Sequence, residues 1–208
     1  MSASGDTMGL AVRERADFAD FLATLTPAQW AAPSLCAQWT VRELVAHTTS
    51  YDELSWPDTL RRFARGRFRP GRVNDLGVAE YLREPDELIA LLRAHPRPRG
   101  LAAGFGGMIA LVDTTIHHQD IRRPLGLPRE IPAERLRAAL RLTLRAPPVG
   151  AFARARGLTL VATDVDWRHG RGPEVHGPGE ALLMAMAGRG HALPELGGPG
   201  LPVLTARV

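Results

Sequence analysis

The sequence predicts an α+β protein, with a mainly α-helical amino-terminal part followed by a small carboxy-terminal α/β part. Three observations carry this reading. Apolar residues recur at helical spacing through the first two thirds of the chain. Prolines and capping pairs punctuate those segments at helix starts and stops. Past Pro147-Pro148 the pattern gives way to a run of β-branched and apolar residues bounded by glycine and aspartate. We place the boundary there, giving parts 1–147 and 148–208 within a chain of 208 residues.

The helical elements follow in order. Residues of about 8 to 25 carry Leu10, Phe18, Phe21, Leu22 and Leu25 at a helical period. Thr26-Pro27 opens a short turn, the proline suiting a first helical position. Thr40 and Glu43 form a capping-box pair, in which each side chain satisfies a free backbone N–H at a helix start. The helix they open places Val41, Leu44, Val45 and Thr48 on one face, with His47 beside it. Residues 57–76, rich in arginine, glycine and proline, read as a short helix followed by a loop. Pro85 opens a helix that ends near His95, with Asp86 and Glu87 where the helix dipole favours negative charge. Residues of about 103 to 123 form a long helix whose start is loosened by Gly104, Gly106 and Gly107. Pro132 opens one more.

In the carboxy-terminal part, GLTLVATD reads as a strand and DWRHGRGPEVHG as a turn with a second strand. PGEALLMAMAGRG reads as a short helix closed by glycine. The tail, PELGGPGLPVLTARV, is assigned a last edge strand. Asp164, Asp166, His169 and His176 read as polar turn residues.

Composition narrows the function. All 26 basic residues are arginine, against 22 acidic residues, for a formal net charge of +4. The arginines are scattered rather than gathered into the stripe that marks a nucleic-acid binder. The densest group, Arg61, Arg62, Arg65, Arg67, Arg69 and Arg72, reads as a solvated helix and loop. One cysteine, Cys36, permits no intramolecular disulfide and no cysteine-rich zinc cage, which fits a reducing compartment. The first residues lack the apolar core of a signal peptide, and no apolar run nears the roughly 18 residues of a membrane span. The expectation is a cytoplasmic protein without membrane or nucleic-acid partners, of undetermined oligomeric state.

The chemistry concentrates in the long helix. Ile109, Val112, Asp113, Ile116, His117 and Asp120 fall on one stripe. Asp113 and His117, four apart, therefore stand one turn apart on the same face and interrupt an otherwise apolar surface. A buried carboxylate there requires a cation, a hydrogen-bond partner or a metal. With His47 they would supply two nitrogens and one carboxylate oxygen, a facial ligand set that leaves positions open on a divalent ion. The same spacing also suits a buried aspartate–histidine pair with His47 merely at a helix edge. Asp120 is placed to accept the second N–H of a ligand imidazole. His118, rotated roughly 100° from His117, is the weaker candidate. Cys36 reads as a packing or turn residue rather than a nucleophile.

The segment SLCAQWTVRELVAHTTS resembles the amino-terminal part of the mycothiol-dependent maleylpyruvate isomerase family, within the wider DinB/YfiT-like superfamily of metal-binding four-helix bundles. The family pattern there is a cysteine, a Gly-Trp pair and a helix ending in a histidine ligand; this chain has Cys36, Gln38-Trp39 and His47. DTTIHHQDIRRPLG resembles the second ligand helix, with Asp113, His117 and Asp120 in the family's places. GLTLVATDVDW and GPGEALLMAMAGR resemble the small carboxy-terminal domain, including its closing Gly-Arg, here Gly188-Arg189. The resemblance implies a DinB-like four-helix bundle with a metal held by His47, Asp113 and His117, zinc being the expected ion. It implies mycothiol as a cosubstrate, isomerisation or thiol transfer on a small electrophile, and a substrate-contacting role for Arg189. A helix-end arginine that caps carbonyls competes with that last role. A non-catalytic metal-binding or regulatory relative is the alternative. Two departures stand out: the family's acidic ligand is a glutamate, one methylene longer than Asp113, and Gln38 replaces the usual glycine.

Overall fold

A computed structural model describes residues 6–36 and 38–208. The chain divides into two compact units, Met1–Pro128 and Arg129–Val208. Among the described residues no helix is long and apolar enough to cross a membrane.

The first unit is helical. Its elements are α1 (Thr7–Leu22), α2 (Pro27–Trp30), α3 (Val41–Thr49), α4 (Trp56–Arg65), α5 (Pro70–Tyr81), α6 (Pro85–Ala94) and α7 (Gly104–Arg122). Four of them close a bundle: α1 packs on α6 and α7, and α3 packs on α6 and α7 as well. Phe18, Leu22, Trp30, Val41, Leu44, Val45, Leu88, Leu92 and Ile121 form its buried core. Phe18, Leu22, Val41, Leu44 and Val45 are among the apolar positions that helical spacing predicts. Asp6 caps α1, and reciprocal capping boxes start α2 (Thr26, Gln29) and α3 (Thr40, Glu43).

Two features depart from the sequence reading. Residues 70–81 form α5 rather than a loop. The glycine that weakens the helical signal there has a packing role: a Cβ on Gly77 would lie 2.8 Å from Ser50 Oγ, so only glycine lets α5 approach the end of α3 this closely. The start of α7 is not simply loosened. Phe105, Gly106 and Gly107 all adopt left-handed backbone conformations, and the regular helix begins after them.

The interior of the first unit also carries charge. Arg15 and Asp52, both nearly inaccessible, pair at 2.5 Å. Arg62 is equally buried, donates to the Ser50 carbonyl at 2.8 Å and pairs with Glu80 at 2.9 Å. Its guanidinium carbon lies 5.2 Å from the Tyr51 ring centre and 5.4 Å from that of Tyr81. Arg62 thus belongs to the interior, while Arg67, Arg69 and Arg72 of the same basic stretch are exposed, as a solvated segment should be.

The second unit comprises α8 (Ala133–Thr143), α9 (Ala151–Ala155), β1 (Thr159–Ala162), β2 (Arg168–Gly170), β3 (Glu174–Gly177), α10 (Gly179–Met186) and α11 (Leu201–Thr205). The sheet order is β2-β1-β3, with β2 antiparallel and β3 parallel to β1. Leu160 pairs with His169 on one side and Val175 on the other. Helix α10 covers β1 and β3, and α8 packs on α10. That contact explains why α8 groups with this unit although the sequence reading set the division near residue 148. Its buried face, Leu136, Ala139 and Leu140, needs the apolar α10. The tail is a short helix, not an edge strand. Pro202 suits the first turn of α11, and among the described residues the segment's only contact of sheet type is an isolated bridge from Gly197 to His176. Asp164 accepts the Gly179 N–H at 2.7 Å, a turn role that anchors the start of α10.

Candidate metal centre

The site lies within the first unit, between α3 and α7. Helix α3 starts at a rigid capping box, and its last turn carries His47, buried against the core. Helix α7 presents Asp113, His117 and Asp120 on successive turns of one face. His47, Asp113 and His117 each offer a ligand atom, and the three atoms lie within 4.8 Å of one another. Asp113 Oδ1 is 3.4 Å from His117 Nε2 and 3.9 Å from His47 Nε2. The two imidazoles meet edge to face, with centroids 5.2 Å apart.

These separations fit a shared first-row divalent ion. Donors about 2.1 Å from a tetrahedral ion stand about 3.4 Å apart, the separation of Asp113 Oδ1 and His117 Nε2, and His47 would move inward to complete the set. Two neutral nitrogens and one carboxylate oxygen suit zinc and several neighbouring divalent metals. Access is one-sided. The Asp113 side chain is 38% exposed, against 8% for His47 and 11% for His117. The ligand set therefore has a closed floor and a solvent-facing edge at the carboxylate.

Surrounding groups orient both imidazoles. Asp120, fully buried, holds its Oδ2 2.9 Å from His117 Nδ1. That contact places the imidazole proton on Nδ1 and directs Nε2 toward Asp113. The Trp39 ring packs on His47 with centroids 5.0 Å apart. Among the described residues, His47 Nδ1 is buried and has no hydrogen-bond partner.

Electrostatics follow from this geometry. Burial opposes ionisation of Asp113, but the charge and hydrogen bonding of His117 and His47 outweigh it and hold the carboxyl below the usual carboxylate range. Burial likewise opposes a charged His117. The charge of Asp113, with hydrogen bonding from Asp113, Asp120 and Cys36, prevails and raises its pKa well above that of free histidine. In the absence of metal the cluster is thus a cation between carboxylates, the charge arrangement a divalent ion would replace.

His118 is not part of the site. Its Nε2 accepts from Arg122 Nε at 2.8 Å, so its Nδ1 donates to Glu14 at 3.0 Å. Phe18 and Phe21 pack on its ring. Arg189 lies in the second unit, past the end of α10, where it donates to the Ala187 carbonyl at 2.7 Å, the carbonyl-capping role. Burial and the charge of Arg189 together lower the pKa of Arg154. Sequence reasoning missed Cys36. Its Sγ lies 3.3 Å from Asp120 Oδ2 and 3.8 Å from His117 Nδ1. No spacing rule flags a partner 81 residues away.

Residues 11–103 match the family model described as the mycothiol maleylpyruvate isomerase N-terminal domain. This segment belongs to that family. The isomerase-family domain includes Cys36, Trp39 and His47 and ends before Asp113 and His117. Two solved structures share the fold over most of the chain. One is a histidine-to-alanine variant of the mycothiol-dependent maleylpyruvate isomerase, with TM-score 0.58. The other is the mycothiol-dependent maleylpyruvate isomerase, with TM-score 0.53. Each is 16% identical and covers 93% of this chain and 91% of the other. No curated protein sequence gives a significant match.

Proposed function

We propose that this chain is a divalent-metal-dependent enzyme that uses a low-molecular-weight thiol, mycothiol being the expected one, for isomerisation or thiol transfer on a small electrophile. The observation that carries the proposal is the convergence of His47, Asp113 and His117 at a solvent-accessible edge. The family of the amino-terminal domain supports the thiol and the isomerisation.

In this reading His47, Asp113 and His117 hold the ion, which we expect to be zinc. When bound, a divalent ion supplies a Lewis-acid position that favours thiolate over thiol, whose free pKa of about 8.5 leaves it mostly protonated at neutral pH. The chain's own residues do the rest. Asp120 keeps the proton of His117 on Nδ1 and its Nε2 aimed at the site. Trp39 holds the plane of His47. The exposed edge of Asp113 is the side from which thiol and electrophile enter. The thiolate sulfur adds to an activated C=C bond, and the π electrons move toward the conjugated carbonyl. Rotation about the resulting single bond and expulsion of the thiolate return the isomerised alkene with no net change in atoms. A transfer reaction stops after addition and protonation. Arg189 is the proposed contact for an anionic substrate group.

The test is metal content of the purified chain, followed by consumption of maleylpyruvate and a panel of electrophiles with and without thiol. Stoichiometric metal and a rate that requires thiol support the proposal. Metal without thiol-dependent turnover assigns the chain to a non-catalytic metal-binding role.

A further inference from the structure

We infer that Cys36 is a positioning residue for the metal-binding imidazole of His117, acting through Asp120. The inference rests on the metal reading above and adds to it a device outside the ligand set.

One carboxylate oxygen is the centre of the argument. Asp120 Oδ2 takes the Nδ1–H of His117 at 2.9 Å and the S–H of Cys36 at 3.3 Å. The aim of His117 follows the orientation of this carboxylate. A donor arriving on that same oxygen from a different segment opposes its rotation, and with it the loss of aim of His117. The thiol reaches the same nitrogen from the side, at 3.8 Å.

The backbone around Cys36 is built to hold this contact. Leu35 N–H donates to the Asp120 carbonyl at 3.0 Å, so the segment is pinned to the very residue whose side chain Cys36 contacts. Ser34 Oγ accepts the Cys36 N–H at 3.2 Å and donates to the Trp39 carbonyl at 2.8 Å. Trp39 N–H in turn donates to the Cys36 carbonyl at 2.8 Å. The same short segment therefore sets Cys36 against the Asp120–His117 pair and Trp39 against His47. It braces both imidazoles at once. A residue serving packing alone would not need its sulfur directed at the carboxylate that orients a ligand.

The magnitude follows from the chemistry. Groups that hydrogen-bond a ligand directly are worth about 10–100-fold in metal affinity. Cys36 acts one bond further out and through a weak S–H donor, so its loss should cost about 3–10-fold.

The experiment is titration of the full chain with Co²⁺, read from the d–d absorption bands, in wild type, Cys36→Ala, Cys36→Val and Cys36→Ser. The valine variant keeps the packed volume without the donor, and covers the case in which alanine does not fold. Both donor-free variants should bind Co²⁺ about 3–10-fold more weakly with shifted bands, and serine should restore wild-type affinity and spectrum. Wild-type values in the valine or alanine variant would overturn the inference. So would a serine variant as weak as alanine, because the donor would then not be what matters. A thiolate-to-cobalt charge-transfer band in wild type would make Cys36 a ligand and overturn it differently. Absence of Co²⁺ binding by the wild type would remove the metal reading itself and this inference with it, an outcome distinct from the others.

Discussion

Metal loading must displace the proton that the carboxylates keep on His117. The pKa of this imidazole is raised well above the ordinary value of 6.5 because Asp113 lies 3.4 Å from its Nε2 and Asp120 lies 2.9 Å from its Nδ1. This shift favours a charged His117 in the metal-free protein, whereas ligation requires Nε2 without its proton. Binding of one divalent ion should release about one proton from this residue at pH 7, and affinity should fall about tenfold per pH unit on acidification below the raised pKa. Stability of the metal-free protein should run the other way. A raised histidine pKa contributes stability that is complete below the ordinary 6.5 and fades as pH rises through the raised value. The depressed pKa of Asp113 contributes stability present above the ordinary 3.8 and lost as pH falls below it. The metal-free protein should thus gain most from this pair in weakly acidic solution, while the stabilisation added by metal grows toward alkaline pH. Calorimetric titration with Zn²⁺ in two buffers of different protonation enthalpy counts the released protons, and thermal unfolding with and without metal across the same pH range follows the stability. Metal binding with no proton release at pH 7 and no pH dependence would refute the electrostatic argument.

Two further predictions follow from neighbouring residues. His118→Leu should leave metal stoichiometry unchanged, because both ring nitrogens face Glu14 and Arg122. It should nevertheless lower unfolding stability by about 1–3 kcal/mol, because the buried Glu14 loses the hydrogen bond it accepts from His118, measurable by urea denaturation alongside metal analysis. Thr40→Ala removes one half of the capping box that starts α3 and should cost about 1 kcal/mol, a loss readable as a lower denaturant midpoint with little change in metal affinity, since His47 sits two turns from the cap.

Some of this was readable from the chain before any fold was known. Asp113 and His117 were legible because a spacing of four on a helix fixes a shared face whatever surrounds it. Asp120 was legible for the same reason. The grouping of His47 with them was an expectation that spacing could not fix, since nothing within TVRELVAHTTSY says which helix it will meet; the family resemblance added weight to it. Helix α5 was missed because Gly71 and Gly77 lower helix propensity, and the need for Gly77 arises only once α5 lies against Ser50. The tail helix was missed because GGPGLP reads as turn and edge material, and five residues are too few to establish a period. The role of Cys36 is tertiary throughout. Its partners are distant in sequence, and the loop that aims it is held by Ser34 and by the Asp120 backbone, neither of which carries a pattern.

The most direct measurement is anomalous diffraction at the zinc edge from crystals of the zinc-loaded protein. The account predicts one strong peak at about 2.0–2.2 Å from His47 Nε2, an Asp113 carboxylate oxygen and His117 Nε2, with Asp120 still on His117 Nδ1. Crystals grown with excess zinc that show no peak at that point, or a peak on Cys36 and Asp120 instead, would contradict it.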